Sequence, residues 1–214
     1  MDSEMSSVKP LLTAYVVRHG QTYFNAEDIT QGQSDSELTP LGIEQANGLG
    51  EKLKDVHFDT IFSSDLGRAQ KTAEILKRDR TAPLYQSLLL RERKFGIYEN
   101  KPFSFFRMEQ KEMLEKYEHL TRAERRTFRF ADDVETEAEI SSRMFSFFEE
   151  TFKTHQGQTI LVVSHGAIMK AFLNALDWTR DAEIPSSKIQ NMAFVKVVFD
   201  GEHFEVLESE GIMR

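Results

Sequence analysis

Two uninterrupted apolar runs, LLTAYVV (Leu11–Val17) and TILVVS (Thr159–Ser164), constrain what this chain can fold into more than any other feature. A strand with one wet face alternates apolar and polar residues. The cores of these runs, YVV and TILVV, do not alternate, which is the pattern of strands covered on both faces. Runs at Thr60–Ser64, Leu84–Leu90 and Met192–Phe199, and a last segment at His203–Ser209, read as further strands. The DGEH between the final two is a hairpin turn signal. Helical signals fall between the strands. Thr39 reads as an N-cap with Pro40 at the first helical position, after which Leu41, Ala46, Leu49 and Leu53 share one face. Asp65 reads as the cap of a helix carrying Leu66, Ala69, Ala73 and Leu76, and AIMKAFLNALDW (Ala167–Trp178) follows a strand directly. Strands alternating with helices predict an α/β fold: a three-layer α/β/α sandwich with a mostly parallel mixed sheet.

That rhythm breaks from about 99 to about 150, where no strand is legible. FSFFRMEQKEMLEKYEHL is helical in propensity, Thr121 to Glu124 is a capping-box pattern, and Ile140, Met144, Phe147 and Phe148 mark a third helix. The stretch is expected as a helical cap excursion over a pocket, within a single domain spanning 1–214. The 17 Phe against one Trp predict phenylalanine-rich packing. A net charge of −8 argues against nucleic acid and anionic membranes as partners, because both need a broad basic surface. With no Cys, thiol nucleophiles, disulfides and thiolate metal sites are excluded. The N-terminal MDSEMSSVKP is polar and lacks a signal-peptide apolar run, and no stretch approaches the length of a membrane span. A cytoplasmic location is the default expectation, with the first eight or nine residues disordered because they offer little to bury.

In open α/β sheets, ligands bind beyond the carboxyl ends of the parallel strands. The first strand delivers Arg18 and His19 there. The second delivers Asp65 and, a helical turn later, Arg68. The third delivers Arg91, Glu92, Arg93 and Lys94, and the fourth His165 and Gly166. Two histidines, two arginines and a carboxylate suit phosphoryl transfer through a covalent intermediate. A neutral imidazole is a good nucleophile for phosphorus. Arginine offers a planar fork that fits phosphate bidentately. A loose transition state mainly needs its equatorial oxygens held, and a carboxylic acid can protonate the leaving alcohol. This chemistry requires no metal and no other cofactor. Gly20 is expected to let the chain turn tightly after the strand.

These segments resemble those of the histidine phosphatase superfamily, in its phosphoglycerate mutase-like branch. RHGQT is similar to the nucleophile motif, FSSDLGRAQKTAEI to the arginine-bearing segment, LLRERKFGIYENK to the acid segment and VVSHGAIMK to the second-histidine segment, in the family order. The resemblance implies His19 as the phosphorylated nucleophile and Glu92 as proton donor and then base. It implies Arg18, Arg68 and His165 as the phosphate pocket, Asn25 as a phosphate-contacting residue, and Gln31 and Gly32 as a loop over the substrate.

The same pocket serves a phosphatase, which admits water, and a mutase, which returns the phosphoryl group to substrate. Ala167 after His165–Gly166, where the family's mutases carry asparagine, favours a phosphatase. So does the spacing from Glu92 to Lys101, and ERKFGIYENK particularly resembles the fructose-2,6-bisphosphatase-like glycolysis regulators. Small phosphomonoesters, among them sugar bisphosphates such as fructose 2,6-bisphosphate, are the substrates this implies. KYEHLTRAERRTF loosely echoes a mutase segment, so a cofactor-dependent phosphoglycerate mutase is the alternative. A non-catalytic module on the same fold usually lacks the histidine or an arginine, and both are here. The sequence also lacks a proline-glycine-glycine-glutamate stretch common in the family; ADDVETEAE stands there. The arginines Arg122, Arg125, Arg126 and Arg129 read as a solvated helix face, with a second-phosphate rim as the competing reading. His57, His119, His155 and His203 have no matching context. Oligomeric state is not legible.

Overall fold

A computed structural model describes residues 10–179, 184 and 189–213. The expectation for the first nine residues lies outside the described residues. Both apolar runs sit at the centre of a six-stranded sheet. Strands β1 (Leu12–Arg18), β3 (Thr60–Ser64), β4 (Leu84–Ser87) and β6 (Thr159–Ser164) are parallel, and β7 (Ile189–Phe199) and β8 (Phe204–Ile212) run antiparallel at one edge. The order across the sheet is β4-β3-β6-β1-β7-β8. A separate antiparallel pair joins β2 (Ile29–Thr30) to β5 (Lys101–Pro102).

The unbroken runs are unbroken because each face of the strand has its own core. In β1, Leu12, Ala14 and Val16 pack with Ile140, Met144, Phe147 and Phe148 of α7 (Glu137–His155) and with α8 (Gly166–Ala175). The intervening Tyr15 and Val17 pack on the other side with α2 (Pro40–Lys52) and α3 (Gly67–Lys77). In β6, Ile160 and Val162 join the first cluster, Leu161 and Val163 the second. Burial of such side chains contributes about 1.5–3 kcal/mol each, so a one-residue slip of either strand would exchange two cores at once. Phenylalanine dominates the first cluster: Phe148 stacks on Phe172, and Phe199 on Phe204, with ring centroids 5.5 and 4.1 Å apart.

Between the sheet strands lie α1 (Tyr23–Ala26), then α4 (Phe103–Glu109), α5 (Lys111–Glu118) and α6 (Arg122–Thr127). Tyr98, Phe106 and Val134, with Phe95, Phe105 and Phe130 against them, form a third, aromatic cluster under α4. The α7 helix, which the sequence grouped with this excursion, packs its apolar face into the main core. The capping box at Thr121 is present, as is the side-chain cap of Thr39 on Gly42 N.

Three local expectations are corrected. The Leu84–Leu90 run is a strand only to Ser87. There the Ser87 hydroxyl accepts from Leu89 N and the chain tightens into a 3₁₀ turn, Leu88–Leu90. Asp65 does not cap α3; the N-cap is Leu66, with no side-chain bond, because the Asp65 carboxylate is taken by Arg91 at 2.8 and 2.5 Å. Leu41 faces outward, 48% exposed. Among the described residues no helix is long and apolar enough to cross a membrane.

Gly20 is needed for room rather than for its turn. Its φ is not left-handed, but a Cβ there would stand 2.6 Å from the Gly42 carbonyl oxygen of α2. Gly20→Ala is therefore expected to destabilise the fold by about 1–3 kcal/mol, read as a lower urea midpoint with an unchanged slope.

Candidate active site

The central position of β1 beside β6 decides where the chemistry sits. Arg18 pairs with Ser164 in the parallel register, so the next residues, His19 and His165, leave the same end of the sheet together. Their rings lie 5.2 Å apart at 62°. The backbone of His19 is pinned from both neighbouring strands. Its N–H donates to Ser164 O at 3.0 Å, and its carbonyl accepts from the Asn191 amide at 3.1 Å. Gly20 N then donates to the Thr72 hydroxyl of α3 at 3.1 Å. Neither Thr72 nor Asn191 was legible as a site residue in the sequence, because each acts on the backbone of another residue.

His19 is 2% exposed. Its Nδ1 lies 2.7 Å from Gly20 O, and a carbonyl only accepts, so Nδ1 carries the proton. Nε2 is then the lone-pair nitrogen, and it accepts from Arg68 Nε at 3.3 Å. Burial, then the charges of Arg68 and Arg18, push the imidazole well below the usual histidine range. A neutral ring with Nε2 bare is the form a phosphorus nucleophile requires. His165, fully buried at the N-cap of α8, is likewise held well below that range, by burial first and then by Arg68, His19, Arg18 and Arg143.

Arg68 reaches the site from the first turn of α3 and is 2% exposed. Its Nη1 donates to Ser34 O at 2.6 Å and to Asp35 at 3.0 Å, and Nη2 donates to Gly32 O at 2.7 Å. Arg18 donates from Nη1 to Ile189 O at 2.5 Å. Gly166 leaves it space, since a Cβ there would stand 3.2 Å from Arg18 Nε.

Several polar atoms around His19 are buried without partners among the described residues: Arg18 Nε and both ring nitrogens of His165. A native fold rarely leaves such groups unpaired, at a cost of about 1–3 kcal/mol each. Two cationic or donor-bearing side chains left open beside a lone-pair nitrogen make a receptor for an oxyanion that His19 can attack.

Glu92 sits across from these groups. Its oxygens accept from Ala167 N at 3.0 Å and Ile168 N at 3.2 Å, in the first turn of α8, and from Arg93 N at 2.7 Å. Its charge is felt at both Arg18 and Arg68. Arg143 of α7 fixes this segment by donating to Leu89 O, Arg91 O and Glu92 O.

The remaining expected residues are placed less directly. Asn25 closes the capping box of α1 and accepts from Asn191, which itself holds His19 O. Gln31 is 7% exposed and its Oε1 has no partner among the described residues. Gly32 carries the carbonyl that holds Arg68 and adopts φ +57°, a left-handed conformation that suits glycine. Lys101 pairs with Thr30 across the small sheet, and its ammonium lies 4.6 Å from the Phe105 ring centroid, in the cap rather than against His19. In the arginine run, Arg122 binds Asp177 and Asn174 O, Arg125 binds Tyr117 O and Glu118 O, and Arg129 binds Glu139 and Val134 O. These three are engaged with the protein's own acceptors. Among the described residues no three of His, Asp and Glu cluster so as to hold a metal ion.

Comparison with known proteins identifies the family and the fold. Residues 14–210 match the sequence model of the histidine phosphatase superfamily (branch 1). A probable phosphoglycerate mutase GpmB from Yersinia pestis is 32% identical over 166 residues, covering 78% of this chain and 75% of that protein. The crystal structure of phosphoglycerate mutase from Bacillus anthracis superposes with a TM-score of 0.83 at 29% identity, covering 95% of this chain and 94% of that one. A phosphoserine phosphatase from Entamoeba histolytica, solved with 3-phosphoglyceric acid, superposes with a TM-score of 0.72 at 25% identity, covering 92% and 96%.

Proposed function

Because this chain belongs to branch 1 of the histidine phosphatase superfamily, we propose that it is a phosphatase of small phosphomonoesters, working through a phosphohistidine at His19. The observation that carries this reading is the unprotonated Nε2 of His19, aligned by Arg68 and set beside the unpaired nitrogens of Arg18 and His165. In the first step Nε2 attacks phosphorus as the ester oxygen departs, and Arg18, Arg68 and His165 hold the three equatorial oxygens. Glu92 gives its proton to the departing alkoxide. In the second step Glu92 takes a proton from water, which attacks the phosphohistidine and regenerates the imidazole. Asn25, Gln31 and Gly32 form the rim. The helices α4 to α6 and Lys101 cover the leaving-group side and select it by shape and charge.

Ala167 supports water as the acceptor. Its methyl leaves room where an amide side chain would grip a bound acid, and water reaching the phosphohistidine ends the reaction as hydrolysis. A sugar bisphosphate such as fructose 2,6-bisphosphate fits the resemblance of the acid segment. Its second phosphate would need a cation other than Arg122, Arg125 and Arg129, whose guanidinium groups are occupied.

The mutase names of the Yersinia and Bacillus relatives favour a second reading, phosphoglycerate mutase. One assay separates the two. With 3-phosphoglycerate, catalytic 2,3-bisphosphoglycerate and EDTA, net release of inorganic phosphate is expected to exceed formation of 2-phosphoglycerate. Interconversion much faster than phosphate release would replace the phosphatase by the mutase.

A further inference from the structure

Glu99 lies outside the group around His19, yet its carboxylate is fully committed. Oε1 accepts from Gln33 N at 3.1 Å and Phe95 N at 2.9 Å, and Oε2 accepts from Ser34 N and the Ser34 hydroxyl, both at 3.1 Å. Among the described residues no cation pairs with it. A half-buried carboxylate held by three backbone N–H groups and a hydroxyl, with no such cation, needs a reason.

The reason lies on the other side of the same turn. Ser34 N also bonds Gln31 O, closing a tight turn with Gly32 at φ +57°. The peptide unit joining Gly32 to Gln33 points its N–H at Glu99 and its carbonyl at Arg68 Nη2. In a trans peptide these two groups are antiparallel. One peptide dipole therefore lies in line between a carboxylate and a guanidinium, and each hydrogen bond polarises the other. Ser34 adds a second link through two successive peptide units, its N–H to Glu99 and its carbonyl to Arg68 Nη1. The charge of Glu99 is felt at Arg68. Four hydrogen bonds from Arg68, to Ser34, Asp35, Gly32 and His19, leave one Nη2 N–H for a ligand.

We propose that Glu99 is a positioning residue: through the Gly32–Ser34 turn it fixes the plane of Arg68, and Arg68 in turn holds Nε2 of His19 in place. This rests on His19 being the nucleophile. Without the carboxylate, Gln33 N loses its acceptor and Ser34 N keeps only Gln31 O, the two carbonyls of the turn drift, and Arg68 leaves the imidazole.

The test is Glu99→Gln, which sets an amide N–H against donors that need an acceptor. A misplaced Arg68 is expected to lower kcat/KM roughly 10–100-fold. The distinguishing readout is the titration of His19, followed by NMR of its ring nitrogens and by the acidic limb of kcat/KM against pH. His19 is faced by Arg18 from β1, Arg68 from α3 and His165 from the start of α8; Asp35 and Glu92 face Arg68 in turn. Arg68 is one of the charges that hold His19 in its neutral form. Moving it away lets His19 protonate at higher pH, so the limb moves upward. Ser34→Ala, which removes one of the four donors, is expected to shift it in the same direction with a loss of about threefold. A limb and a ring titration unmoved in both variants, with any rate loss matched by a lost active fraction, would show that Glu99 merely braces the loop. The ring titration needs no turnover, so it reads the clamp even where the phosphohistidine mechanism fails.

Discussion

His19→Ala is expected to abolish turnover, with kcat/KM falling roughly a thousandfold or more. The size follows from what the side chain does. Burial and two adjacent arginines keep the ring neutral, the Gly20 carbonyl fixes its tautomer, and Arg68 aligns Nε2. No other described side chain is prepared in the same way: His165 is buried with both nitrogens unpaired and has no bond that selects a tautomer. A steady-state assay with p-nitrophenyl phosphate checks this, with far-ultraviolet circular dichroism to show that the variant is folded. The alanine leaves a small cavity at a strand end, so the fold is expected to survive.

Glu92→Gln is expected to separate substrates by their leaving groups. An alkyl phosphate needs a proton on its departing oxygen, and loss of the acid is expected to slow it roughly 10²–10⁴-fold. p-Nitrophenolate departs with little help, so the same variant should lose about tenfold or less on that ester. The comparison has to be made within one variant. Glu92 also anchors the first turn of α8 through Ala167 N and Ile168 N, and an amide would loosen that turn for every substrate alike. Equal losses on both esters would mean that Glu92 positions α8 and His165 and transfers no proton.

Much of this arrangement was legible in the chain because it rests on the strands. A residue at the end of a buried parallel strand has its place set by the run before it. Arg18 and His19 after YVV, and His165 after TILVV, could therefore be assigned to one end of the sheet from pattern alone. Arg68 follows from the same logic with a helical turn added. What could not be read depends on backbone atoms of distant loops. Arg68 is held by carbonyls at positions 32 and 34, and carbonyls leave no mark in a sequence. Glu99 looked like an ordinary acid in ERKFGIYEN; only the folded turn shows that four donors converge on it. Asp65 had the signature of a helix cap, and the sequence could not show that Arg91, 26 residues on, would claim it first. The arginine run read as a solvated helix face, with a phosphate rim as the competing reading; the partners that engage Arg122 and Arg129, Asp177 and Glu139, appear only when the chain is folded.

The account stands on a covalent bond between phosphorus and Nε2 of His19. The direct measurement is to mix the wild-type protein with a ³²P-labelled phosphomonoester, quench in alkaline detergent and map the label by peptide. Phosphohistidine survives base and is lost in acid. Label that is acid-labile, stoichiometric with active protein and confined to the peptide carrying His19 is the expected result, and it should be absent from His19→Ala. Normal release of phosphate with no trapped label, or label on the His165 peptide, would contradict it.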